Sequence, residues 1–472
     1  MAITMTNETP AQLLREALKN KGIGPTGSKH LDPELLEQVL PLLGLPETNV
    51  VTAATFWTAC LMLDNNDEEE ALLRPLKANP RQYLTRELQS LTKPEIVEPE
   101  SRSFAELTNI VIQKQNLTFD QASSAVSYLW HPEIPVWLKA SFLQAERLKR
   151  ETLAENVAFL QQMWNQSRSV DVQLPVLIDL CDAYDGTKRS YHLTPFFAAV
   201  LAAMGIPCVV HGLESAAPKH GITTARILKH AGKNPYRDLA SVQAGICDSQ
   251  TGWGYCDQSV FFPELHALLP MRHDMVKRPF LATFEKLLSP VRNQGGNIQI
   301  TGYVHPHYRI EMVKALALHN RQRMFFNLRS IEGSTNCWIK KETPYVGYQL
   351  SDQVKIPHGL KGTPTPLMLD ADWTTLLHSQ QSQPLEGTLA PETFGVFRED
   401  QEILKDITLE QTVEAGIAAL KGDSGLVRDL LIYHAAMYAW LGGCEASPAS
   451  ATAHARTVLQ SGKALDHWNA QN

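Results

Sequence analysis

No apolar run in this sequence is long and unbroken enough to span a bilayer. The longest, LTPFFAAVLAAMGIPCVV from Leu193, holds two prolines and a glycine, and reads as a buried helix followed by a strand. The opening residues MAITMTNETPAQ lack the basic region and apolar run of a signal peptide, so the cytoplasm is the expected compartment and no membrane partner is expected. No two of the seven cysteines (Cys60, Cys181, Cys208, Cys247, Cys256, Cys337 and Cys444) form a CxxC pair. An odd, scattered set gives no disulfide framework and no spaced zinc motif, and most of these thiols read as small buried hydrophobes. None of the sixteen histidines lies in HExxH or another metal-ligand spacing. The net charge of −7 gives by itself no support to nucleic-acid binding.

What is present is an ordinary globular composition, 44% hydrophobic and 20% charged over 472 residues, with length for two or more domains. Residues 1–90 show apolar spacing near 3.6 in LDPELLEQVLPLL and EEEALLRPL and are expected to be a helical module. LTKPEIVEPESRS, at 91–102, reads as a linker. Residues 103–168 are helical again. At a fixed offset of 86 residues the two blocks share nine identities, among them Leu31 with Leu117, Val50 with Val136, Phe56 with Phe142 and Glu69 with Glu155. Two readings stand: duplication of one helical module, or two convergent amphipathic helix pairs. Either must bury its apolar faces against the core or a second subunit.

From 169 to 472 the pattern becomes α/β. LPVLIDLC is a short apolar run of the kind that forms a buried parallel strand. The loop DAYDGTKRSYH follows. A helix is expected next, with Thr194 as N-cap, Pro195 at its first position and Gly205 as its stop. IPCVV then makes a strand that ends at His211-Gly212. NIQITGYVHP, HYRIEMVKALALH and RMFFNLRS repeat the strand–helix–strand unit. Ligands bind at the carboxyl ends of strands in such sheets. Residues 360–395, rich in Pro, Thr, Gln and Ser, read as an irregular insertion.

Charge is unevenly placed. Gly186 to Arg329 holds 17 Lys plus Arg against 8 Asp plus Glu, a net of +9, which leaves −16 for the rest of the chain. Lys188 and Arg189 lie just before the helix near Pro195, where an anion is favoured; a pair of solvated loop charges is the plain alternative. Arg226 and Lys229, spaced i and i+3, share a helix face that could equally be solvated. His211, at a strand end, is a candidate general base or a structural histidine. Tyr184, Tyr191, Tyr236, Trp253, Tyr255 and Phe261 lie among the basic loops and suit either ordinary packing or stacking on single-stranded nucleic acid.

LTFDQASSAV, AERLKRETLAE, LTPFFAAVLAAMG with VVHG, LLSPVRN, VRDLLIYHAA and SGKAL resemble the anthranilate phosphoribosyltransferase family, also called glycosyltransferase family 3, over roughly 103–472. YDGTKRSYHLTPFF, MRHDMVKRP and YVHPHY are most similar to a divergent TrpD-like bacterial branch that keeps the fold and binds nucleic acid. The resemblance implies an anthranilate/nucleoside phosphoribosyltransferase-like fold: a small all-helical N-terminal domain that dimerises, and a larger α/β domain with a mainly parallel sheet.

The departures are as informative. Where the family has a glycine-rich GTGGDG loop, whose amides cradle pyrophosphate, this chain has Asp182-Ala183-Tyr184-Asp185-Gly186. The family's KHGN becomes Val210-His211-Gly212-Leu213. Its magnesium-holding Asp-Glu pair falls near Ser334-Thr335-Asn336, with Glu332 as the remaining carboxylate. Arg272 aligns with the family arginine that contacts the aromatic substrate, and Lys277 and Arg278 follow it.

The expected function is therefore a homodimeric, degenerate family member. It would bind DNA, RNA or another polyanion in an interdomain cleft through Gly186, Lys188, Arg189, Thr194, His211, Gly212, Arg226, Lys229, Arg272, Lys277 and Arg278, with no catalytic residue and no cofactor. The alternative is a phosphoribosyl- or glycosyltransferase with altered substrate and metal chemistry. That reading alone would call for magnesium and a phosphoribosyl pyrophosphate-like small molecule.

Overall fold

The structure, a computed structural model, describes residues 9–24, 27–319, 322–353, 366–404 and 407–471. The chain divides into two compact units, Met1–Gln162 with Ala267–Ala282, and Met163–His266 with Thr283–Asn472.

The first unit is helical, and its helices start where the sequence offers a cap. Thr9, Asn49, Asn66 and Thr118 each accept an amide from the first turn of the helix that follows. Each such bond satisfies a donor that has no partner within the helix and contributes about 1 kcal/mol. The 86-residue offset carries the helix starts Pro33, Val50 and Asp67 onto the starts Phe119, Val136 and Leu153. The Val50–Met62 helix is buried on nearly every side and packs along the Val136–Lys149 helix. An apolar surface all round requires such a partner. The stretch 91–102 carries a 3-10 turn at Pro94–Ile96 and the first turn of the Pro99–Ile112 helix. Residues 267–282 return to this unit. There the Thr52 hydroxyl donates to the Asp274 carbonyl at 2.9 Å, and Phe280 stacks on Phe159 with ring centroids 4.5 Å apart.

The second unit is α/β. Its strands are β1 (Val170–Val172), β2 (Ile178–Cys181), β3 (Cys208–Gly212), β4 (Trp253–Asp257), β5 (Val291–Asn293), β6 (Asn297–Tyr303), β7 (Gln322–Arg329), β8 (Thr343–Leu350) and β9 (Ser382–Leu389). The main sheet runs β4-β3-β2-β6-β7-β8-β9. It is parallel from β4 to β7, and β8 and β9 are antiparallel; β1 and β5 pair separately. Alternation along β2 sends Ile178 and Leu180 into the main apolar core and Asp179 and Cys181 to the opposite face. That core surrounds the Thr194–Ala203 helix, every residue of which is buried. Phe196 stacks on Trp468 at 4.7 Å, and Gly416 makes room for it, since a Cβ there would lie 2.3 Å from the Phe196 ring. Phe197 stacks on His434 at 4.5 Å.

Two local expectations change. The helix begins at Thr194 itself and has no side-chain cap, because the Thr194 hydroxyl donates instead to Asp182. The stretch 360–395 is not irregular from 366 on. It holds short helices at Pro366–Asp370 and Trp373–Ser379, then β9; residues 360–365 lie outside the described residues. β9 is an edge strand, where Pro384 is tolerated because one ladder is open. Among the described residues no helix is long and apolar enough to cross a membrane.

Candidate functional site

The loop leaving β2 is stitched to a second loop. Gly186 adopts φ +74°, and a Cβ there would fall 2.4 Å from the Ile222 carbonyl. That approach lets Thr187 and Ile222 exchange backbone hydrogen bonds at 2.9 Å, while the Gly221 amide donates to the Asp185 carbonyl at 2.8 Å. Asp182 accepts the Ala183 amide at 2.8 Å and the Thr194 hydroxyl, and lies 3.3 Å from His192 Nε2. Thr194 also meets the Thr335 hydroxyl at 2.9 Å, which ties the β2 loop to the segment after β7. Burial holds the His192 imidazole below its ordinary pKa, against the pull of Asp182.

Glu332 closes this arrangement. Its backbone is left-handed, φ +57°, and its Oε2 accepts the amides of Lys188 at 2.9 Å and Arg189 at 2.8 Å. Oε1 lies 3.3 Å from Lys219 Nζ, which also sits 3.4 Å from Asp185 Oδ1 and donates to the Gly186 carbonyl. The amides of Lys188 and Arg189 therefore already hold a carboxylate. The side chains of Lys188 and Arg189 remain exposed.

Beside them opens a small pocket walled by Arg189, Tyr191, Trp338 and Leu404 among others. Lys340 and Lys341 hold their ammonium groups 4.9 Å and 5.3 Å from the Trp338 ring centroid. Aromatic faces interleaved with cations are what a single-stranded nucleic acid stacks and pairs with. Sequence reasoning missed Lys219, Trp338, Lys340 and Lys341. The only local signal for the last three was the WIKK run itself.

The remaining expected residues divide. Gly212 lies within β3, where a Cβ would meet the Tyr255 hydroxyl at 3.5 Å. Arg226 is half-buried and donates to the Gly221 carbonyl at 2.8 Å; Lys229 pairs with Glu214 at 3.0 Å. Arg272 is buried, and Lys277 donates to the Lys19 carbonyl. Burial lowers the Lys277 pKa to about 8. With Arg278, both belong to the first unit.

His211 does have partners. Its Nε2 lies 3.1 Å from Asp179 Oδ1, and its Nδ1 is 2.5 Å from the Tyr184 hydroxyl. Burial, with Glu285 next, pushes the Tyr184 pKa far up, so the hydroxyl keeps its proton. Burial would also raise the Asp179 carboxyl, but His211, Ser289 and Asn297 outweigh it and hold it below the usual carboxylate range.

No protein-family model matches the chain. It is 24% identical over 365 residues to anthranilate phosphoribosyltransferase of Synechococcus sp. (strain JA-3-3Ab), a match covering 76% of this chain and 94% of that enzyme. It is 26% identical over 264 residues to the uncharacterized protein YbiB of Escherichia coli (strain K12), covering 52% of this chain and 79% of that protein. Among solved structures, anthranilate phosphoribosyltransferase from Saccharomyces cerevisiae in complex with PRPP and Mg matches with a TM-score of 0.60 at 15% identity, over 78% of this chain and 96% of that one. The chain is similar to anthranilate phosphoribosyltransferases over three quarters of its length and has their fold.

Proposed function

We propose that the α/β unit binds single-stranded nucleic acid through Lys188, Arg189, Tyr191, Trp338, Lys340 and Lys341, and that the chain lacks anthranilate phosphoribosyltransferase activity. One observation carries this reading: Glu332 takes the amides of Lys188 and Arg189 while leaving both side chains exposed. A compact pyrophosphate needs those amides, and a carboxylate beside them repels it. An extended polyanion needs only outward cations and a face to stack on, and binds without reading sequence. Gly186, Thr194, His211 and Gly212 then shape the loop rather than touch the ligand.

The test is fluorescence anisotropy with a labelled single-stranded oligonucleotide, alongside calorimetry with phosphoribosyl pyrophosphate and magnesium. Oligonucleotide binding should be strong at low salt and the pyrophosphate should not bind tightly. Tight, magnesium-dependent pyrophosphate binding overturns the reading.

A transferase with altered metal chemistry is favoured by one feature, the pair Asp185 and Glu332 around Lys219. Two carboxylates that hold one cation are the ligand type magnesium takes.

A further inference from the structure

We propose that Asp179, Cys181 and His211 form a binding site for a divalent transition-metal ion of the zinc class. The sequence hides this set. Two of its members are two residues apart on β2, and the third is thirty residues on, in β3. The parallel register pairs Cys181 with His211, and alternation puts Asp179 on the same face as Cys181. One ligand atom from each lies within 4.8 Å of the other two. Asp179 Oδ1 is 3.1 Å from His211 Nε2 and 3.5 Å from Cys181 Sγ. Zinc bonds of about 2.0–2.3 Å to oxygen, nitrogen and sulfur put tetrahedral ligands about 3.3–3.8 Å apart, close to both separations from Asp179 Oδ1.

The atoms that face away from the cluster are already held. Asp179 Oδ2 accepts Ser289 Oγ at 2.7 Å and the side-chain amides of Asn297 and Gln299, each at 3.3 Å. Tyr184 engages His211 Nδ1. Outer partners of this kind fix the orientation of metal-ligating carboxylates and imidazoles. They leave Oδ1 facing both Nε2 and Sγ.

The bound site is balanced in charge. On binding, the Cys181 S–H proton leaves to solvent and the thiolate bonds the metal. Nε2 of His211 bonds the metal without a proton, and Nδ1 keeps its hydrogen bond with the Tyr184 hydroxyl. In the bound site the dication balances the Asp179 carboxylate and the Cys181 thiolate. A nitrogen, oxygen and sulfur set selects zinc-like ions over magnesium or calcium.

The full chain, unfolded in chelator and refolded with and without equimolar Zn²⁺ or Co²⁺, tests this. Native mass spectrometry should show one tightly held ion. The cobalt form should show the thiolate-to-cobalt charge-transfer band and the intense visible bands of a tetrahedral site. Cys181→Ser and His211→Gln should each lower retention at least tenfold and abolish the charge-transfer band. Cys208→Ser, on the apolar face of β3, should change neither. If His211→Gln does not fold, Cys181→Ser and Asp179→Asn decide. No stoichiometric ion in the refolded chain, or equal retention and an unchanged band in Cys181→Ser, overturns the proposal.

Discussion

Glu69 and Glu155 occupy the same place at the 86-residue offset. Each stands two residues into its helix and turns back to accept the amide before it, from Asn66 at 3.0 Å and from Thr152 at 2.7 Å. Each also reaches across to the preceding loop, where Glu69 takes the Leu31 amide at 2.9 Å and Glu155 the Leu117 amide at 2.7 Å. Leu31 and Leu117 are themselves 86 apart. A buried lysine completes each set, Lys21 at 2.8 Å and Lys149 at 2.7 Å, but from different positions. The helical bundle is thus tied at two equivalent points by a glutamate that closes a loop onto a helix start.

Glu69→Gln should destabilise the first unit by about 3–5 kcal/mol, because it leaves the Lys21 ammonium buried without its counter-charge. Lys21→Met with Glu69→Gln should cost less than the sum of the single changes. Burial opposes ionisation of Glu69, but Lys21, the Leu31 amide and His30 outweigh it and hold its pKa below the usual value. Its contribution is therefore present above about pH 4.5 and is lost as pH falls through the depressed folded pKa. Urea midpoints for the four chains across pH 3–7 check both statements.

His434 should add a second acid-sensitive step. Burial lowers its pKa to about 4. Its Nε2 accepts the Cys337 amide at 2.7 Å while Nδ1 donates to the Leu430 carbonyl at 2.7 Å, so the ring is neutral in the fold. Between about pH 6.5 and 4 the unfolded chain binds the extra proton. Its contribution to stability is lost as pH falls through that window and is constant above it. In His434→Gln the slope in that window should shrink in a thermal-melt series, the remainder belonging to groups such as His192, whose pKa burial also lowers; an unchanged slope assigns it to another group.

Lys188→Glu with Arg189→Glu should weaken oligonucleotide binding and flatten its salt dependence. With Lys340 and Lys341, four cations give a slope of about −3 in log K against log salt for a single strand. Trp338→Ala should cost about 1–3 kcal/mol with single-stranded DNA or RNA and little with duplex, since only free bases stack. Anisotropy titrations over a salt series read both effects. Equal losses on single and double strands would exclude stacking.

Glu332→Gln should raise affinity for inorganic pyrophosphate and for oligonucleotides. It removes a negative charge from the Lys188 and Arg189 amides and leaves Lys219 with Asp185 as its one carboxylate partner among the described residues. Calorimetry with pyrophosphate, with and without magnesium, measures the gain. If the variant loses affinity instead, the carboxylate is a metal ligand and the transferase reading moves ahead.

The family resemblance leads to a homodimer through the helices of 103–165. Light scattering should give twice the chain mass of 52.6 kDa. Val136, 49% exposed at the start of its helix, offers a test of the face. Val136→Glu should shift the mass toward one chain without altering the helical circular dichroism, whereas a wild-type monomer at micromolar concentration would rule the dimer out.

The sequence by itself determined the elements: the helical spacing of the first 168 residues, apolar β2 and β3, the stop at Gly205, and the 86-residue repeat. Each of these depends on neighbours within a few residues, through caps, periodicity and backbone preference. The departures from the resembled family's motifs are read in the same way, because motif residues are local. Tertiary structure alone decided what surrounds those loops. Glu332 reaches amides 144 and 143 residues away, and Trp338 borders the same pocket as Arg189. Asp179 gained His211 only through the register of β2 on β3. Parallel strands bring together loops distant in the chain, and which loops meet is set by sheet order and strand register, neither of which has a local periodicity to read.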